Sequence, residues 1–203
     1  KYMMGLSATM TRKDGLTFVF KHFIGDVAYK LERDSSEEHV VVKTIKYYND
    51  DEDFSKVELN YKGQVHYSLM ISKICQFNHR SEFILKVLKT ELELHPKQQI
   101  MILAHNKTLL KYLYDSIEHR EIATVGYYVG GMKEKALKET ETKQVVIATY
   151  AMAEEALDIK TLSALILATP RSDVTQSVGR ILRMKHEFPV VYDIIDQHDF
   201  FQT

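Results

Sequence analysis

Two arginines, Arg180 and Arg183, stand three residues apart behind Gly179 in the stretch QSVGRILRMKH, Gln176 to His186. At about 100° per residue, Gln176, Gly179, Arg180 and Arg183 share one helix face. Val174, Val178, Ile181 and Leu182 fall on the other, so an apolar stripe can bury itself while the guanidinium groups stay accessible. Arginine keeps its charge and matches phosphate oxygens with a two-pronged fork. Glycine within a helix costs about 1 kcal/mol against alanine, and here it clears side-chain bulk beside the two arginines. The chemistry this pattern offers is recognition of a phosphorylated ligand; the plainer reading is a solvated helix face. Ser172 or Asp173 is suited to cap the helix, which is expected to begin near Val174.

Other chemistries find less support. The single cysteine, Cys75, excludes an internal disulfide, and none of the nine histidines pairs with a convincing metal-ligand spacing, so no metal site is expected. The 27 basic residues balance 28 acidic ones to a net charge of -1, which leaves any attraction to nucleic acid to a local patch. No apolar run reaches the roughly 18 residues of a membrane span, and the first residues lack a signal-peptide pattern. A soluble protein of a reducing intracellular compartment is expected. With 45% hydrophobic residues and three prolines, the 203 residues suit one substantial core and an appendage rather than disorder.

Short apolar runs position the arginine helix: residues 100–104, 124–129, 144–149, 164–169 and 190–195. Each is separated from the next by a stretch that includes helical pattern, which predicts an α/β domain with a parallel sheet covered on both faces. Ligands of such sheets bind beyond the carboxyl ends of the strands. There the sequence places His105, Asn106 and Lys107, then Gly130 and Gly131, Thr149 and Tyr150, Thr169 to Arg171, and Asp196. Earlier in the chain, residues 40–48 alternate like a strand exposed on one side, 67–94 read as one or two amphipathic helices, and the polar run 49–53 reads as a solvated loop. Residues 1–9 read as a buried strand with no partner nearby, which suggests a piece of a longer protein; an edge strand of the local sheet is the alternative.

The pattern QxxGRxxR resembles motif VI of superfamily 2 helicases. GLSATMTRKDGL, residues 5–16, resembles motif III with an R-x-DG extension of the XPB type. Residues 147–170 resemble motif V and its following strand, residues 100–113 resemble the motif IV strand, loop and helix, and GYYVGGMKEKAL (126–137) falls at a further backbone-contacting loop. Within the superfamily the resemblance is strongest to the poxvirus transcript-release helicase and its relatives in African swine fever virus, iridoviruses and giant viruses. One departure is Glu155-Ala156, where many members carry Glu-Gly; alanine disfavours a glycine-only angle, so a helical turn is expected there.

The resemblance implies a three-layer RecA-like fold with a parallel sheet, preceded by a linker or extension holding a strand or hairpin and helices. The implied segments are the tail of a first RecA-like domain (1–30), a linker and family-specific extension (31–80) and a second RecA-like domain (81–203). It implies that Arg180 and Arg183 face the terminal phosphate of ATP, with Arg183 as the finger. Gln176 would meet the nucleotide phosphates or the attacking water, and Asp158, Gly179 and Glu155 belong to the nucleotide side. Thr149 and the amides near Asn106, Gly130 and Gly131 would hold the backbone of a nucleic acid, DNA being the expected track and RNA the other. Ser7, Thr9 and Arg12 would couple the two domains.

ATP and Mg²⁺ are implied for the parent but not for this chain alone. No GxxxxGK[ST] loop occurs, and Asp51-Glu52-Asp53-Phe54 follows motif III, whereas the family's magnesium-binding DExx precedes it. The expected protein is therefore half of an ATP-dependent helicase, inactive as an ATPase alone. Its implied partners are the parent's amino-terminal RecA-like domain, single-stranded or duplex nucleic acid and the transcription machinery, in the cytoplasm of an infected cell or the virion, with no membrane. The rival reading is a catalytically silent RecA-like module that docks nucleic acid or protein. A small-molecule enzyme is weaker, since no GxGxxG opens a helix.

Overall fold

Alternate residues of the apolar runs take opposite faces in the computed structural model, which describes residues 4–5, 15–30, 40–155, 159–174, 178–179 and 186–201. The chain divides into two units, Lys1–Glu37 and Glu38–Thr203. Described in the first is helix α1 (Thr17–Ile24), closed by Gly25 at φ +103°, a backbone angle glycine adopts readily.

The second unit is built on six parallel strands: β1 (Val41–Tyr47), β2 (Gln99–Ala104), β3 (Val125–Tyr128), β4 (Val145–Thr149), β5 (Leu162–Leu167) and β6 (Val190–Asp196). Their spatial order is β1-β6-β5-β2-β4-β3. Ile100, Ile102, Ala104, Val145, Ile147, Ala164 and Ile166 enter one core, and Met101, Leu103, Val146, Ala148, Leu165 and Leu167 enter the other. That period of two on a sheet buried on both faces explains runs that are apolar at every position.

Helices α3 (Tyr67–Gln76), α4 (Asn78–Leu94) and α5 (Lys107–His119) cover the first face. The second is covered by α7 (Tyr150–Glu155), by Leu137 of α6 (Glu134–Thr140) and by Val174 and Val178. The expected three-layer α/β architecture is thus observed. No helix among the described residues is long and apolar enough to cross a membrane.

Residues 40–80, set apart above as linker and extension, contribute β1, α3 and α2 (Glu52–Ser55) to this same unit. Among the described residues, β1 lies at the sheet edge and pairs with β6 alone, and only its last residue, Tyr47, is fully buried; its exposure is wider than one-sided. The amphipathic stretch 67–94 is two helices, because Phe77 is extended (ψ 107°) and stacks on Phe54 at 4.6 Å between ring centres. The polar run 49–53 is a capping turn as well as a loop. Asn49 accepts from the Asp51 amide, and Asp51 accepts from the Phe54 amide at 3.0 Å, which seats Phe54 against Tyr47, Phe77 and His198.

Gly126 in β3 is required by close approach: a Cβ there would lie 2.8 Å from Cγ2 and Oγ1 of Thr140, the last residue of α6. Helices α4 and α5 are tied at the surface by Glu82, which accepts from both Arg120 nitrogens at 2.6 and 2.7 Å and from the Tyr112 hydroxyl at 2.6 Å. Arg120 first, then Tyr112, lowers the Glu82 pKa from 4.5 to about 2. A carboxylate depressed on folding adds stability above its unfolded pKa and loses it as pH falls through the folded value. The pair is more than a third exposed, so solvent screening limits it to about 1 kcal/mol or less. Arg120→Ala is therefore expected to lower the urea midpoint slightly at pH 7, with a gap from wild type that closes between pH 4.5 and about 2. A gap constant over that interval would refute the assignment.

Candidate functional site

Because every strand is parallel, the carboxyl ends lie along one edge, and there the chain collects its polar and small residues. Asn106 follows β2 and caps α5: its backbone is extended and its side chain accepts from the Thr108 amide at 2.7 Å. The Asn106 side chain is thus committed to the helix, and any ligand contact at this position falls to neighbouring main chain. Gly130 and Gly131 follow β3. Gly131 has φ +88°, and a Cβ at either glycine would meet nothing within 4 Å, so this turn is open to a close approach from outside. Thr149 ends β4 half-buried, immediately before α7, which runs to Glu155; Ala156, where a helical turn was expected, lies outside the described residues.

The segment leaving β5 is held by several hydrogen bonds. The Ala168 carbonyl accepts from Arg80 Nη1 at 2.8 Å, and the Thr169 carbonyl accepts from the Tyr150 hydroxyl at 2.7 Å. The Pro170 carbonyl lies 3.2 Å from His105 Nε2, and the Thr169 hydroxyl accepts from the His105 amide at 3.1 Å. A carbonyl only accepts, so His105 Nε2 carries the proton. Burial first, then the Arg171 charge, lowers the His105 pKa, which keeps the ring neutral at physiological pH.

Arg171 lies over the Tyr150 ring, 5.1 Å from its centre, and donates to Glu154 of α7 at 2.8 Å. Burial raises the Tyr150 pKa, holding the hydroxyl as a donor. Where a helix start was expected, the Val178 amide donates to the Val174 carbonyl at 2.8 Å, and Val178 and Gly179 are helical, with open space where a Cβ on Gly179 would stand.

Beneath the edge lies a fully buried ion pair. Arg80 Nε and Nη2 donate to the two carboxylate oxygens of Asp196 at 2.5 and 2.8 Å, joining α4 to the end of β6. Sequence reading singled out Asp196 by its strand end but missed Arg80. A signal existed, since Arg80, Ile84, Leu88 and Glu91 share helical spacing and all four are buried, which puts two charged residues on the apolar stripe of α4. The opposite, amino edge is closed by glutamines: Gln99 donates to the carbonyls of Glu141 and Lys143, and Gln98 to that of Phe188.

Of the residues expected to carry function, Asn106 follows β2, Gly130 and Gly131 follow β3 and Thr149 ends β4, three neighbouring strands, and Gly179 is helical, beyond the β5 segment in sequence. Ser7, Thr9, Arg12, Asp158, Gln176, Arg180 and Arg183 lie outside the described residues, as does the Glu155 side chain.

Against known proteins, the chain is 34% identical over 204 residues to the Acanthamoeba polyphaga mimivirus protein described as "Putative ATP-dependent RNA helicase L396", covering 97% of this chain and 38% of that protein. It is a homologue of viral proteins that carry this kind of description. An African swine fever virus protein of like description, QP509L, is 25% identical over 97% of this chain and 41% of its own length. Helicase 161L of Invertebrate iridescent virus 6, described in the same guarded terms, is 24% identical over 100% of this chain and 47% of its own length. The chain thus spans less than half the length of these curated relatives. No protein-family profile matches it. Among solved structures, the T4 protein UvsW shares the fold at a TM-score of 0.60 and 22% identity, over 77% of this chain and 32% of its own. The yeast protein Dbp5, solved with RNA and ADP BeF3, does so at 0.56 and 15%, over 95% and 45%. The fold is the α/β RecA-like fold shared with these two proteins.

Proposed function

We propose that this helicase domain is the second RecA-like domain of an ATP-dependent, nucleic-acid-translocating parent, and that it contributes the arginine fingers and part of the strand track to a site completed by a preceding domain. The observation that carries the reading is the carboxyl edge, where Asn106 and the open Gly130-Gly131 turn follow, and Thr149 ends, neighbouring parallel strands. Hydroxyls and main-chain amides at such an edge can hold backbone phosphates without net positive charge and without reading bases. On the helix that follows, Arg180 and Arg183 lie toward the terminal phosphate of ATP, and Gln176 toward the attacking water.

Asp158, Gly179 and Glu155 complete the nucleotide side, while Ser7, Thr9 and Arg12 respond to nucleotide state. The parent supplies the phosphate loop and the carboxylate for Mg²⁺, so the 203-residue chain alone does not hydrolyse ATP. The motif resemblance points to DNA, and the names of two relatives point to RNA. Transcript release or transcription termination in a virus-infected cell is the proposed process.

Thr149→Val tests the track. In the parent it is expected to weaken binding of single strands by about tenfold or more, the worth of one hydrogen bond to a charged phosphate. The loss should be the same for any sequence, because a backbone contact carries no base information. A filter-binding series with unchanged affinity would remove Thr149 from the track.

A further inference from the structure

Three consecutive carbonyls, those of Ala168, Thr169 and Pro170, are each met by a side chain from a different element. Arg80 comes from α4 and Tyr150 from α7, while His105 comes from the turn after β2. The first two of these bonds are buried and the third is exposed; buried carbonyls need partners, but main chain or water usually supplies them. Here the partners are long side chains, and two of them adjoin the candidate strand contacts: His105 precedes Asn106, and Tyr150 follows Thr149.

The strap continues into Arg171, which covers the Tyr150 ring, pairs with Glu154 and donates from Nε to the Asp173 carbonyl at 3.3 Å. At the next residue, the Val174 carbonyl accepts from the amide of Val178, which is helical with Gly179, and the two arginines follow in sequence. A displacement of the turn at His105 or of the first turn of α7 therefore reaches this segment through direct hydrogen bonds and one ion pair.

We propose that Arg171, Tyr150 and His105 are positioning residues through which a nucleic-acid strand seated at the ends of β2 and β4 sets the helix carrying Arg180 and Arg183. This rests on the reading of Asn106 and Thr149 as strand contacts and of the two arginines as facing ATP. Arg171 is the most informative member, because its side chain is 30% exposed and its removal leaves the core intact. The device makes ATP turnover answer to strand occupancy; it does not take part in the chemistry or in holding the strand.

The test is steady-state ATP hydrolysis by the full parent, with and without a homopolymeric single strand, in wild type, Arg171→Ala, Arg171→Lys and Tyr150→Phe. Arg171→Ala is expected to cut the stimulated-to-basal ratio by about tenfold, within the span of measured coupling effects. Basal turnover and the half-saturating strand concentration should stay within about twofold of wild type on the same argument. Arg171→Lys, which keeps a cation for Glu154, should recover part of the ratio, and Tyr150→Phe, which loses only the bond to the Thr169 carbonyl, should lower it.

An unchanged ratio in Arg171→Ala, beside a wild type that is stimulated, overturns the positioning role and leaves the proposed function standing. A parallel fall of basal and stimulated rates with a lower melting temperature also overturns it, in favour of a structural strap. Absence of stimulation in the wild-type parent overturns the proposed function and this inference together.

Discussion

Arg183→Ala in the full parent is expected to lower ATP turnover by about 10³- to 10⁵-fold while nucleotide binding persists, the range found for arginine fingers in phosphoryl transfer. Charge develops on the transferring phosphoryl oxygens in the transition state, and a fixed guanidinium aimed there is worth more than it is in the ground state. Arg183→Lys is expected to recover little, because an ammonium on a flexible stem cannot reproduce the planar two-pronged contact. Measured by single-turnover hydrolysis alongside binding of a fluorescent ATP analogue, the loss should fall on the rate and spare the affinity. A variant that turns over normally would make QSVGRILR a charged surface, and the silent-module reading would take its place.

The second large effect lies in the buried pair. Removing either Arg80 or Asp196 leaves a charge in the interior with its main partner gone, at a cost of about 3–5 kcal/mol. Domains of this size are stable by only about 5–15 kcal/mol, so Arg80→Met or Asp196→Asn is expected to bring the domain close to unfolding at physiological temperature. Arg80→Met also deprives the Ala168 carbonyl of its donor. The double variant Arg80→Met with Asp196→Leu should recover much of the loss, since an apolar replacement removes both desolvation penalties at once. Urea unfolding measures this, and a single variant costing less than about 1 kcal/mol, against the expected loss, would show that the pair is not the clamp its geometry indicates.

How much could be read from sequence followed from how local each signal is. All five apolar runs after residue 99 are strands, because burial on both faces leaves a continuous apolar stretch that needs no partner to be recognised. A helix beginning near Val174 was expected from Ser172 and Asp173 as capping types, and the Val178 amide does donate to the Val174 carbonyl. Residues 40–48 carried a weaker signal, because an edge strand has few buried positions to impose a pattern.

The strap was not legible. Its bonds join positions 105 to 170, 150 to 169 and 80 to 168, and nothing in the local types of Tyr150 or Arg80 states where their donors reach. Likewise Asn106 is what a strand contact and a helix cap both look like in sequence; its side chain is observed as the cap.

The most direct measurement compares ATP hydrolysis by the 203-residue chain with that of the full parent, each with and without single-stranded DNA and RNA. The account predicts no turnover by the chain alone and, in the parent, turnover that rises when a strand is added. Stoichiometric hydrolysis by the isolated chain, or a parent indifferent to both polymers, would contradict it.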